Sequence, residues 1–125
     1  MADSLFEHLL EVEQVGTVTV ARFKQRTILG TSAIEAIGDR LLRLAGEEGR
    51  RDFVLNFAGV ESLPSAMLGK FVQLQKTLGE AGGRLAFCRV DPFLMQIFKV
   101  VQMPDLIPIH ADEAQAVQSL SAGPQ

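Results

Sequence analysis

Hydrophobic and polar positions follow two different periods along the chain, and the switches between them mark its elements. Val15 to Phe23 reads VGTVTVARF, with β-branched Val18, Thr19 and Val20 and an alternation of polar and apolar residues. That is the two-residue period of a strand. Leu9 to Glu13 is its expected edge partner, and Lys24 to Gly30 reads as a polar loop. From Ser32 the period becomes helical, with Ile34, Ile37, Leu41 and Leu44 on one face. Ser32 and Glu35 have the spacing of a capping box, and Gly46 and Gly49 close the helix. Asp52 to Phe57 (DFVLNF) is short and apolar, as a strand covered on both faces of a parallel sheet should be.

A second helix is predicted from Pro64 to Leu78. Pro64 suits the first turn, where its missing N–H loses nothing. Met67, Leu68, Phe71, Val72, Leu74 and Leu78 form its apolar side, and Gly79, Gly82 and Gly83 mark its exit. Arg84 to Val90 reads as the next buried strand. Asp91-Pro92 opens a third helix, Asp as cap and Pro in the first turn, with Leu94, Ile97, Phe98 and Val101 as its stripe. Pro104 is expected to stop it. Leu106 to Ile109 is predicted as the last strand, Asp112 to Leu120 as the last helix, and 121–125 as a disordered tail.

This alternation predicts an α/β fold of four β–α turns around a mixed, mostly parallel sheet with an antiparallel edge strand. Leu41, Leu55, Phe57, Phe71, Leu85, Phe87, Ile97 and Phe98 are its expected core. With 125 residues and no linker or repeat, residues 1–120 read as one domain.

Composition narrows the function. The net charge is -3 and the basic residues are scattered, Arg50-Arg51 being the densest pair. Nucleic-acid binding needs clustered Lys and Arg, so no nucleic-acid partner is expected. The chain lacks Trp and Tyr, which leaves 8 Phe and the aliphatic residues to fill the core. Cys88 is the one cysteine, so no internal disulfide can form, which fits a reducing compartment. Its apolar neighbours Leu85, Ala86 and Phe87 predict a buried, inert thiol. No apolar run approaches the roughly 18 residues of a membrane span, and Met1 to Ser4 carries no basic segment. A cytoplasmic, bacterial-type protein without membrane insertion is the resulting expectation.

The chemistry-bearing residues do not assemble into a catalytic pattern. Gly79 to Gly83 ends a helix, whereas phosphate cradles begin one. His8, His110 and Cys88 are too dispersed for a zinc site, which needs three or four converging ligands. There is no G-x-S-x-G elbow. A phosphoacceptor receiver domain shares the α/β order but needs carboxylates at its strand ends. Here the strands end Asn56-Phe57 and Phe23-Lys24. No catalytic residue, metal or cofactor is assigned, and the chain is not expected to be an enzyme.

Asn56 to Gly69 (NFAGVESLPSAMLG) is similar to the signature of STAS domains, in which a strand and Asp or Asn lead to Asp-Ser-Ser/Thr-Gly-Leu opening a helix. Ala81 to Cys88 resembles the family's "xGGxLxLxx" strand, and Asp91 to Phe98 its "xPxVxxxF" helix. The resemblance spans about residues 12 to 120 and is nearest to bacterial anti-sigma factor antagonists. It implies a non-catalytic protein-binding regulator whose partner is an anti-sigma factor or serine kinase-like protein. It also implies that Ser65 is the phosphorylated serine. Pro64, Ala66 and Met67 stand where the family has Asp, the second Ser or Thr, and Gly.

The implied contact surface is Ser62, Leu63, Pro64, Ser65, Ala66 and Met67, with Lys70 and Gln73 on the following helix and the loop Lys24 to Thr27. Its apolar character suits a protein partner. A phosphate on Ser65 would add about −1.5 to −2 charges, which a helix N-terminus tolerates and an apolar interface does not. The alternatives are a plain first-turn serine, and a STAS scaffold that never switches, as a subunit of a lipid-transport or sensory complex. The sequence leaves the oligomeric state open.

Overall fold

A computed structural model describes residues 9–26, 31–46 and 50–121. β1 (Leu10–Val15) and β2 (Val18–Phe23) form a hairpin. Helix α1 (Thr31–Ala45) then leads to β3 (Asp52–Asn56), and α2 (Ser65–Glu80) to β4 (Arg84–Cys88). α3 (Pro92–Val100) and the single turn α4 (Met103–Leu106) precede β5 (Ile109–His110), and α5 (Glu113–Ser121) closes the chain. The sheet order is β1-β2-β3-β4-β5. Only β1–β2 is antiparallel; the other three pairs are parallel. The expected mixed α/β sheet with its antiparallel edge is the fold observed.

Register explains why one sheet has two cores. Ala21 lies opposite Leu55, and Leu55 opposite Phe87. These side chains face α1, α2 and α3, with Ile37, Leu41, Phe71, Leu74, Leu94 and Phe98 packed onto them. One residue along, Val20, Val54 and Ala86 point to the other face, where Ala116 and Leu120 of α5 cover them. The Phe57 ring sits at the centre of the larger core. Its centroid is 4.9 Å from those of Phe23 and Phe87, 5.5 Å from Phe71 and 5.7 Å from Phe98.

Several elements depart from the sequence pattern, each for a local reason. Val15 to Phe23 is not one strand. Gly16 takes φ 61, and Val15 pairs directly with Val18, so a two-residue turn folds the segment into a hairpin. Helix α1 starts at Thr31, which puts Ser32 inside its first turn rather than at a cap, and Glu35 pairs instead with Lys70. Val72 is half-exposed on α2. Ile97 and Val101, expected as part of the α3 stripe, are 38% and 48% exposed. Only Leu94 and Phe98 of α3 are buried, where they pack into the larger core, Phe98 against the rings of Phe57 and Phe87. Pro104 does not end α3; it enters the first turn of α4, and Leu106 belongs to that turn. Pro108 has no N–H, so pairing of the last strand begins only at Ile109, although the Pro108 carbonyl accepts from the Phe87 N–H. Ser121 is helical rather than part of a tail. His8, Thr27 to Gly30, Gly49 and 122–125 lie outside the described residues.

Gly83 allows the β4 backbone to enter the sheet, since a Cβ there would overlap the Arg51 carbonyl. Strand β4 ends at Cys88, two residues before the expected Val90, because Arg89 turns left-handed at φ 58. Cys88 faces α5 and is fully buried. Burial, seconded by the charge of Glu113, pushes its thiol up to about 12. Native protein at pH 8 should therefore react with a thiol reagent about a thousandfold more slowly than denatured protein. Rapid labelling of the native state would show that the strand opens at Cys88.

Candidate functional site

The segment between β3 and α2 is shaped by its own hydrogen bonds. Asn56 Oδ1 accepts from the Ala58 N–H at 2.8 Å, an Asx turn that ends the strand. The Val60 N–H donates to the Phe57 carbonyl at 2.9 Å, and the Val60 side chain drops into the core. The Glu61 and Ser62 N–H groups donate to the Arg26 carbonyl at 2.7 and 3.3 Å, tying the loop to the exit of β2. Leu63 packs half-buried on the core. Pro64, extended at φ -72 and ψ 153, is the cap of α2 and makes no side-chain capping bond. Ser65 is the first helical residue and is exposed.

The structure divides the implied contact residues. Ser62, Ser65, Ala66 and Gln73 are exposed, and Leu63 and Pro64 are half-buried. Met67 is not available as a contact. It is fully buried, because it points from the first turn of α2 into the sheet. Lys70 is not a free surface cation either. Its methylenes cross α1 at Gly38, and its Nζ is 3.2 Å from Glu35 Oε2. It joins α1 to α2. Lys24 and Arg26 are exposed and Gln25 is half-buried. The first turn of α2 holds no acidic residue, so nothing there repels an added anion.

Beside this loop, at the carboxyl ends of the strands, lies an open cleft of about 410 Å³. Arg26, Gly59, Glu61, Arg89, Asp91 and Ala111 line it. Arg26 Nε stands 3.8 Å from Glu61 Oε2, and both side chains are largely exposed, so the pair holds the rim only weakly. Sequence reasoning missed the cleft because its walls come from three separate loops. Among the described residues, no three His, Cys, Asp or Glu side chains gather as metal ligands. Ser119 Oγ is 3.3 Å from His110 Nε2, but the hydroxyl donates to the Ala116 carbonyl at 2.8 Å, which ties it to its own helix.

A family model for the STAS domain matches residues 2–116. The chain belongs to the STAS family. Its fold is similar to that of the anti-sigma factor antagonist SpoIIAA in its unphosphorylated form, with a TM-score of 0.79 at 16% identity, covering 93% of this chain and 99% of that one. An anti-sigma-factor antagonist (STAS) domain protein of Planctomyces limnophilus gives 0.77 at 23% identity, covering 89% of this chain and 96% of that one. A sulfate transporter family protein of Wolinella succinogenes gives 0.69 at 13% identity, covering 86% and 88%.

In this STAS domain the strand ends are locked to α5 by a charge network that the sequence alone did not reveal. Arg22 Nε and Nη2 donate to the two Glu113 oxygens, each at 2.8 Å. Its Nη1 reaches Glu13 at 2.7 Å and Glu11 at 3.0 Å on the edge strand. Asn56 Nδ2 donates to Glu113 Oε1 at 2.8 Å, so the residue that starts the loop before Ser65 also holds α5. The Arg22 bonds, with a smaller contribution from Asn56, hold the Glu113 carboxyl below its ordinary value of 4.5, against the opposing cost of burial.

Because the folded carboxyl is the stronger acid, the unfolded chain takes up the proton first. The stability Glu113 contributes is present above about pH 4.5 and is lost as pH falls below it. Glu113→Gln should cost about 1–2 kcal/mol at pH 7, since the side chains are only about three-quarters buried. Urea titrations across pH 7 to 3 should show the gap between wild type and variant closing. A gap that persists at pH 3 would mean the network acts through packing rather than charge.

Proposed function

We propose that this chain is a non-catalytic, cytoplasmic protein-binding regulator of the anti-sigma factor antagonist type. Its unmodified form binds an anti-sigma factor or serine kinase-like protein, and phosphorylation of Ser65 releases that partner, with consequences for transcription. The observation that carries this reading is the placement of Ser65. It is exposed, opens α2, and sits between half-buried Leu63 and Pro64 and exposed Ala66. A hydroxyl so placed is open to a kinase, and the helix start accommodates the phosphate it would receive.

A partner resting on the same apolar rim would have to desolvate that phosphate, and no counter-charge stands in the first turn of α2 to offset the cost. The switch requires no active site in this chain. The contact surface we assign is Ser62, Leu63, Pro64, Ser65 and Ala66, extended by Gln73. Met67 serves it only by fixing the first turn from inside the core.

The second reading keeps the fold and removes the switch: a STAS scaffold or subunit of a lipid-transport or sensory complex. Pro64, Ala66 and Met67, which replace the family's motif residues, favour it. The two readings separate in one experiment. Tagged protein is recovered from its native host, the bound protein is identified, and Ser65 is mapped for phosphate in the bound and free pools. The switch predicts phosphate on Ser65 in the free pool alone. A stable complex with Ser65 unmodified in both pools leaves the scaffold.

A further inference from the structure

We infer that α3 is a self-association helix through which two copies of this chain form a weak two-fold dimer. Phe93, Ile97, Val100 and Val101 are 63%, 38%, 82% and 48% exposed, and Leu106 beside them is 50% exposed. Phe93, Ile97 and Val100 are spaced four and three residues apart, which aligns them on one side of the helix as in a helix-pairing seam. This side is distinct from the one that Leu94 and Phe98 bury. Residues Arg89 and Gln102 bracket the helix, and both are left-handed, at φ 58 and 60. That conformation costs free energy in any residue but glycine, and such positions gather where a fold presents a functional element.

The chemistry of the seam points to a second copy as its occupant. Antiparallel packing about a two-fold axis at Ile97 sets Phe93 of one copy against Val100 of the other, large against small, on both sides of the axis. The helix dipoles then oppose one another favourably. A two-fold axis also brings each residue near it against its own copy, so a charge there would repel itself. Phe93, Ile97 and Val100 are all neutral, and the helix's one charge, Lys99, lies off their line.

The five exposed side chains leave on the order of 500 Å² of apolar surface per copy, within the roughly 300–600 Å² of the largest patch on a typical monomer, a patch that is often functional. Pairing would remove at most about 1,000 Å² in total, the lower bound for a specific interface, which places this contact among the weak, transient ones. The dimer is therefore reversible, with a dissociation constant in or above the micromolar range. This inference is independent of the Ser65 switch.

Sedimentation equilibrium of the full chain from about 1 μM to 1 mM tests it. Wild type should pass from monomer to dimer across the series. Val100→Asp, at a position 82% exposed and so compatible with folding, should weaken the dimer at least tenfold. Independently, Ile97→Cys should form an intermolecular disulfide under mild oxidation, whereas Gln73→Cys on α2 should not. A wild type that stays monomeric at 1 mM would overturn the inference. So would a dimer indifferent to Val100→Asp, or Ile97→Cys that crosslinks no faster than Gln73→Cys.

Discussion

Phe57→Ala should cost about 4–5 kcal/mol, near the top of the range for removing a buried ring. Phe57 is fully buried and its ring meets four others, those of Phe23, Phe71, Phe87 and Phe98. The neighbours come from β2, α2, β4 and α3, so the cavity has walls on two layers and cannot collapse from one side. A domain of this size has about 5–15 kcal/mol in total, so the variant stands close to unfolding at 37 °C. Phe87→Ala, whose ring meets those of Phe57, Phe71 and Phe98, should cost about 3–5 kcal/mol. Urea denaturation followed by circular dichroism measures both. A loss below 1 kcal/mol for Phe57→Ala would mean that the cluster repacks.

Phe57 also joins stability to the candidate site. It follows directly on β3, and its carbonyl accepts the Val60 N–H that shapes the loop before Ser65. The loop's position is thus set by the largest packing unit of the fold. Its other attachments are Asn56, which binds both the Ala58 N–H and Glu113, and the Arg26 carbonyl.

The layered architecture was readable from period alone because each strand between crossovers is apolar on both faces. Val54 feeds one core and Leu55 the other, and a sequence with that property has few choices besides a covered parallel sheet. Asp91 and Pro92 gave the α3 start correctly, since the Asp91 carboxylate accepts from the Phe93 and Leu94 N–H groups. Tertiary context overrode local pattern elsewhere. The hairpin at Gly16 hides inside a run of alternating residues, and the exposure of Ile97 depends on which side of α3 faces the core, the side that carries Leu94 and Phe98. At the candidate site, sequence located Ser65 and its loop. It could not tell that Met67 turns inward or that Lys70 is held by Glu35, because both depend on how α1 and α2 pack. The Arg22–Glu113 contact links residues 91 apart in the chain, beyond any local signal.

Ser65→Asp carries the second large expectation. The substitution places a carboxylate at the first residue of α2, where the helix start is mildly favourable to it, so stability should change by less than about 1 kcal/mol. Partner binding should weaken by about 2–4 kcal/mol, roughly 30- to 1,000-fold, because the carboxylate would be buried in the interface without a counter-charge. Ser65→Ala keeps the surface neutral and should bind as wild type does while accepting no phosphate. The two variants together separate charge from shape.

The measurement that bears most directly on the regulatory reading is calorimetric titration of wild type, Ser65→Ala and Ser65→Asp against the protein recovered from the native host. Melting curves for all three are recorded alongside. The switch predicts equal affinity for wild type and Ser65→Ala, a loss of at least 30-fold for Ser65→Asp, and three melting temperatures that agree within a few degrees. Equal affinity for all three proteins would contradict it.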